Sequence, residues 1–577
     1  MKYLIECSFG EIIDKITILK IKLNNVKNKN AKNNIKNEYN KLKQYLLIND
    51  NNFNNLFLQL SVINNILWIL EDIIRDKSNK KIYDNLFVAT AELIHKSNDF
   101  RYLIKNNLNE KYNSNIKEEK IYDNNFSFSI LSNNELNNNY ELDELLFNYA
   151  IEYYTKNDYF ISEKIFYQLC RKYETQPINT FIIELFISYN INCNTINKKN
   201  IFINILDNNN FYNSILMLDL SYKEKEVHYK MMYGLYLLEN KKYLLSEDFI
   251  KYLNSVYVSG IMNLNPNNMS FFNKNDTNKT LLIYTSGGLG DIIMFSRFIK
   301  KLCESKYLFE NKKNKIIFLI NDKLYWIFDI YLKKINNINN LELIEYSKRS
   351  SLIHFDYHIN LHMLFIKLKL DYSKIFVDYY LEDVYKYIKL NNYNKFSYTI
   401  LENIIQKDKL NICFNWNGNK NNINWKTRNT NINTFEKLFS IPNINWINIQ
   451  KEVSKEEEEF MNKFDNIIDL HKKIDNNNNQ AFYDTIIILK EVGFLISTDT
   501  SLIHIAGTLN IRNCWTLLSV NCDWRWTKDN NTNWYPNIKL IRQTKLFDWD
   551  DVILKVKEDL LQLLEQKQDN NNLLISI

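Results

Sequence analysis

The first place where this chain could do chemistry is a carboxylate held at the mouth of a helix by glycines. Gly287, Gly288 and Gly290 stand just before Asp291, three of only 9 glycines in 577 residues. A chain so sparing of glycine keeps it where the backbone needs a positive φ or a ligand comes close. The apolar run Leu281 to Tyr284 before them has the length and composition of a buried parallel strand. Behind them Ile292, Phe295, Phe298, Ile299 and Leu302 recur at helical spacing. Strand, glycine turn and helix start make a site for an anion, because the first helical N–H groups have no internal partner. A carboxylate beside such a site can act as general base on a hydroxyl. The same residues serve equally well as a tight turn with Asp291 capping its helix. A dinucleotide fingerprint would want a third small residue where Ile293 stands, and a P-loop would want a Gly-Lys-Ser/Thr that is absent.

A second constellation repeats this logic from Gly493 to Gly507. An apolar strand ends in Asp499, Thr500 and Ser501, and a helix follows. Free N–H groups at 500–502 would hold a diphosphate, with the Thr500 hydroxyl as a further donor. His504 lies four residues after Thr500, on the same helical face, where it could donate to a phosphate oxygen or a leaving group. The competing account has Asp499 capping the helix and His504 packed in the core. A third strand ends in Asn415-Trp416-Asn-Gly418-Asn419, followed by Arg428, and glycine then cations suit an anionic ligand. A plain loop fits as well. Trp524, Arg525 and Trp526, with Trp534 and Tyr535 close behind, suit stacking on a sugar or base, or a packed aromatic loop. Asp548-Trp-Asp550 reads as a helix cap. No His/Cys/Asp/Glu set has metal-site spacing, and no Gly-x-Ser-x-Gly elbow occurs.

The elements that must position these groups divide the chain into roughly three or four domains. Residues 1–125 read as helical, with a capping-box pattern at Ser8 to Glu11 and helical runs near 33–48, 53–76 and 82–107. Their charged residues, Glu11, Asp14, Lys15, Glu71, Asp72, Arg75, Asp99 and Arg101, read as solvated helix faces. After a polar linker at 126–138, residues 139–262 read as helix pairs, 142–155 with 158–173 and 226–239 with 242–256. Their proportions are tetratricopeptide-like, though an irregular helical spacer fits nearly as well; true repeats would dock a protein partner or acceptor. A second linker, 263–278, precedes βαβ alternation over 279–400 and, after a break at Leu390–Lys407, over 408–567 with a final helix at 549–566. Net charge is +6, which points to no nucleic acid. Seven cysteines without a Cys-x-x-Cys pair imply reduced thiols. With Glu6 where a signal peptide needs an apolar core, and no apolar run near ~18 residues, the expectation is a cytoplasmic protein without a transmembrane segment, free or peripheral at the membrane.

Taken together, the second half resembles the ADP-heptose:lipopolysaccharide heptosyltransferase-like family (glycosyltransferase family 9), in the bacterial branch fused behind tetratricopeptide repeats. The matching motifs are Gly288-Leu-Gly-Asp-Ile-Ile-Met-Phe-Ser-Arg297, Trp416 to Asn419 with Arg428, Gln450-Lys451, Asp499 to Gly507, Asp523-Trp-Arg-Trp526, Trp534-Tyr-Pro536 and Arg542-Gln543. The resemblance spans about 280–567. It implies a GT-B fold of two Rossmann-like domains behind an α-helical half. It also implies inverting transfer from a nucleotide-sugar donor to a glycan, lipid or protein acceptor, without metal or other cofactor. In that scheme Asp291 is the base. The donor is met by Gly288, Gly290, Trp416, Gly418, Asn419, Arg428, Gln450, Asp499, Thr500, Ser501 and His504, and acceptor or sugar by Arg297, Trp524, Arg525 and Trp526. Asn429 replaces the family's usual Ser, and Leu361-His362-Met363 replaces a usual Ser-Leu-Pro, which leaves the acceptor open. A non-catalytic scaffold with a degenerate transferase half is the alternative. Residues 1–123 resemble a small bacterial domain family of unknown function, through Ser8 to Leu19, Leu67 to Arg75 and Asn98 to Arg101.

Overall fold

The computed structural model describes residues 6–116, 140–173, 180–192, 223–243 and 270–575, less single positions and the stretches 350–352, 392–394 and 420–424, plus a few isolated positions between 206 and 249. The expected linker 126–138, half of the second linker and most of the expected helix 242–256 lie outside the described residues. The chain forms two compact units, Met1–Leu218 and Asp219–Ile577. The expected 139–262 region is therefore divided between them.

The first unit is helical throughout its described residues. Helices Phe9–Asn25, Asn51–Asn79 and Asn85–Lys111 pack on one another, and Tyr140–Thr155, Tyr159–Tyr173 and Thr180–Asn192 follow as a packed series. Ser8 caps the first helix by accepting the Glu11 N–H, but the Glu11 carboxylate takes Lys105 Nζ at 2.5 Å instead of closing a capping box. Asp14 departs from the expected solvated face. It is buried, paired with Arg101 through Nε at 2.8 Å and hydrogen-bonded by Asn64 Nδ2 at 2.8 Å. Three separate stretches of sequence thus meet on one buried carboxylate. Arg75 and Glu71 do pair in solvent, at 3.0 Å. Among the described residues one helix, Asn51–Asn79, is long and apolar enough to cross a membrane, and half of its most apolar window is buried in the fold.

The second unit contains two parallel sheets. Strands β1 (Thr280–Tyr284), β2 (Lys315–Ile320), β3 (Leu341–Glu345) and β4 (Tyr357–Asn360) lie in the order β3-β2-β1-β4. Strands β5 (Leu410–Asn415), β6 (Ile444–Asn448), β7 (Ile467–Asp469), β8 (Phe494–Thr498), β9 (Asn513–Leu518) and β10 (Ile538–Arg542) lie in the order β10-β9-β8-β5-β6-β7. Every pairing is parallel. Their apolar runs, such as Leu281 to Tyr284 and Leu495 to Ile496, are fully buried, as strands covered on both faces must be. Each sheet reverses its order beside its first strand, between β1 and β4 and between β5 and β8. The strand C-termini part there and leave a crevice, where ligands of doubly wound folds bind.

Two expectations are corrected. The stretch Leu390–Lys407 is not a plain break but carries helix Lys395–Ile404, and the last helix runs Asp550–Ile575 instead of stopping at 566. One apolar core runs through helices of both sheets, from Ile293 and Phe298 to Ile487 and Ile503. Polar ties cross with it: Tyr380 donates to the Ile293 carbonyl at 2.8 Å, Trp326 Nε1 to that of Ala481 at 3.2 Å, and Lys490 pairs with Glu382 at 3.2 Å. The two crevices are therefore fixed relative to each other.

Candidate functional site

Both crevices open on one place because two helix entrances touch. Helix Leu289–Phe295 follows β1, and helix Ser501–Thr508 follows β8. They meet at Gly290, where a Cβ would lie 2.7 Å from His504 Cδ2 and 3.0 Å from Ser501 Cα. Only a residue without a side chain permits that approach.

Asp291 stands on the first helix with its carboxylate partly open to solvent. Its Oδ2 accepts the Gly288 N–H at 3.0 Å, so the expected cap forms. Its Oδ1 is paired with Arg525 Nη1, from the loop after β9. Arg525 is itself buried and also donates through Nη2 to Asp523 Oδ2 at 2.8 Å. Burial works to raise the Asp291 pKa, but Arg525, with His362 and His504, more than offsets that and holds the carboxyl well below the usual range. His362, just after β4, completes this side. Its ring lies 4.7 Å from that of Phe295, and its Nδ1 is 2.8 Å from Asn360 Oδ1. Burial lowers its pKa against the pull of Asp291.

The other side is built from the ends of β5 and β8. Gly418 donates its N–H to Asn429 Oδ1 at 2.9 Å, which ties the loop after β5 to the segment that follows Arg428. Thr500, not Asp499, is the N-cap residue of its helix, and its Oγ1 lies 3.2 Å from Ser497 Oγ. Asp499 is buried and pairs with Arg428 Nη2 at 2.8 Å. Burial raises its pKa, and Arg428 works against that rise. The site thus sets three carboxylates, Asp291, Asp499 and Asp523, against two guanidinium groups, Arg428 and Arg525.

Several expected ligand contacts are packing residues. Trp416 is fully buried among Phe414 and other core rings, with Nε1 on Glu457 at 2.8 Å. Gln450 is buried, and its Oε1 accepts from Asn415 Nδ2 at 2.5 Å and the Asn417 N–H at 3.1 Å, joining β5 to β6. Arg297 is buried across the two halves, donating to the carbonyls of Met294 at 2.8 Å and Trp534 at 2.7 Å, so it does not reach a sugar. Trp526 is fully buried and stacks on His504 at 5.6 Å and 16°, which removes it as a sugar platform. His504 Nδ1 is 3.2 Å from Tyr535 Oη. Burial first, and Arg525 next, push its pKa well down. Trp524 keeps some exposure while stacking on Phe365 at 5.9 Å. Asn419 is exposed. The aromatic loop gains its footing from Tyr243, which accepts from Trp534 Nε1 at 3.0 Å.

Motif reasoning assigned neither His362 nor Arg525 to Asp291. His362 carried a signal, an Asn-x-His at the end of the strand beside β1. The Arg525 link to Asp291 carried none, since 234 residues separate them. No family model, no curated protein and no solved structure matches this chain.

Proposed function

We propose that the second unit is an inverting glycosyltransferase of GT-B architecture. It would move a sugar from a nucleoside-diphosphate donor, ADP-heptose-like by the family resemblance, to a hydroxyl of a glycan, glycolipid or protein. The observation that carries this reading is the contact at Gly290, which brings the helix carrying Asp291, at one strand-order reversal, against Ser501 and His504 of the helix that starts at the other. A sugar diphosphate seated there would touch both. The diphosphate would lie on the N–H groups at 500–502 and the Thr500 hydroxyl, near the glycine loop at Gly418. Arg428 would exchange Asp499 for a phosphate, preorganised charge of the kind that stabilises a leaving anion. Asp291 would assist removal of the proton from the attacking hydroxyl, which adds to the anomeric carbon opposite the departing diphosphate. Helices of the first unit would dock an acceptor or protein partner.

One observation favours the non-catalytic alternative: both site cations are already neutralised by carboxylates. A donor panel read by mass spectrometry separates the two. The transferase reading expects nucleoside diphosphate release with at least one donor, and a loss of about 100-fold or more in turnover for Asp291→Asn with donor binding nearly unchanged. Equal loss of donor affinity in that variant contradicts the role given to Asp291.

A further inference from the structure

We infer that His362 Nε2 is the atom that takes the proton of the attacking hydroxyl, with Asp291 holding the imidazolium that results. This rests on the transferase reading and names a catalytic residue within it. Both oxygens of Asp291 are engaged, Oδ1 by Arg525 and Oδ2 by the Gly288 N–H at 3.0 Å. His362 is arranged in the opposite sense. Asn360 Oδ1 accepts the His362 backbone N–H at 3.0 Å, which identifies that atom as the amide oxygen. The same oxygen is 2.8 Å from Nδ1. An amide oxygen only accepts, so Nδ1 carries the hydrogen and Nε2 of the neutral ring keeps its lone pair.

Nε2 borders the same ground as the carboxylate. A Cβ on Gly287 would lie 3.5 Å from His362 Nε2 and 2.9 Å from Asp291 Oδ2. Glycine, at a φ of +84° that other residues rarely adopt, leaves that ground open. His362 is only partly buried, so a substrate can reach it. The charged groups facing it are Asp291 from helix Leu289–Phe295, and Arg525 and Asp523 from the loop after β9. Asp291 favours the imidazolium as it forms. In the step, the hydroxyl O–H bond breaks and its proton goes to Nε2. The oxygen's electron pair forms the bond to the anomeric carbon, and the bond from that carbon to the diphosphate breaks with its pair leaving on the diphosphate.

The test measures nucleoside diphosphate release from ADP-glucose, UDP-glucose and GDP-mannose, with water as acceptor, against pH, alongside the thermal shift each nucleotide gives. His362→Gln is expected to lose about 100-fold or more in kcat, keep the nucleotide thermal shift, and lose the acid limb of the pH profile. In the parent protein that limb lies below the ordinary histidine range, because activity falls as pH drops through the lowered pKa of His362. Asn360→Asp places a carboxylate beside Nδ1 and is expected to move the limb to higher pH, so it reports even where His362→Gln does not fold. An active parent with an unchanged rate or limb in His362→Gln, or an unmoved limb in Asn360→Asp, overturns the assignment alone. A parent inactive on every donor overturns it together with the transferase reading.

Discussion

Gly290→Ala probes the contact on which the shared site depends. The new methyl would lie 2.7 Å from His504 Cδ2, 3.0 Å from Ser501 Cα and 3.3 Å from Ser501 Cβ. Ordinary carbon contacts are about 3.5–4.0 Å, so the helix entrances must separate by about 1 Å. Neither neighbour yields easily: Ser501 presents main chain, and His504 is buried and packed against both Trp526 and Tyr535. Such overpacking costs about 1–3 kcal/mol. A misplacement of about 1 Å costs about 100-fold in rate. Urea unfolding and donor turnover read the two effects separately. Gly288→Ala is the control, because its Cβ would meet only Asp291 Oδ2, at 3.6 Å, and its backbone is already extended. A Gly290→Ala protein that matches the parent in both assays would refute the reasoning about how the halves are joined.

Arg525→Ala should cost about 3–5 kcal/mol at neutral pH, because it strands two carboxylates. The Asp291 pKa is depressed in the fold, so this stabilisation is present above the unfolded value of about 3.9 and lost as pH falls below it. The gap between variant and parent should shrink from pH 7 to pH 3.5 in urea titrations, and an unchanged gap would contradict the pairing. Asp475 behaves in the opposite way: burial, with Asp484 adding to it, pushes its carboxyl up to about 6. Its contribution is present below the unfolded carboxyl value and lost as pH rises through about 6. Asp475→Asn should therefore gain about 1–3 kcal/mol at pH 8 and nothing at pH 4, and equal stability curves would count against it. In the first unit, Arg101→Ala should cost about 3–5 kcal/mol by leaving Asp14 buried without its cation, while Arg75→Ala, whose pair is solvated, should be nearly neutral. Similar effects from both would show that Asp14 is not the hub described.

Local signals carried the sheets. Strands at Lys315–Ile320 and Ile538–Arg542 coincide with short, mostly apolar segments. Glycine scarcity marked Gly287 and Gly290, and each has a geometric need for it, a positive φ at one and a helix contact at the other. The helix Lys395–Ile404 was obscured because it is short and set between polar stretches. The tryptophans misled because a ring that can stack on a sugar can equally fill a core, and the core claimed Trp416 and Trp526. Ion pairs were illegible in principle. Asp291 with Arg525, Asp499 with Arg428 and Asp14 with Arg101 each join residues from distant segments, and no periodicity reports which cation a carboxylate will meet.

Amide hydrogen exchange with and without a hydrolysis-resistant nucleotide-sugar tests the central claim most directly. First-turn helix amides have no intrahelical partner and gain protection when an anion or sugar settles on them. A shared site predicts protection in both 288–292 and 499–503 at the same ligand concentration. Protection confined to one of these segments, or absent from both with every donor tried, would contradict it.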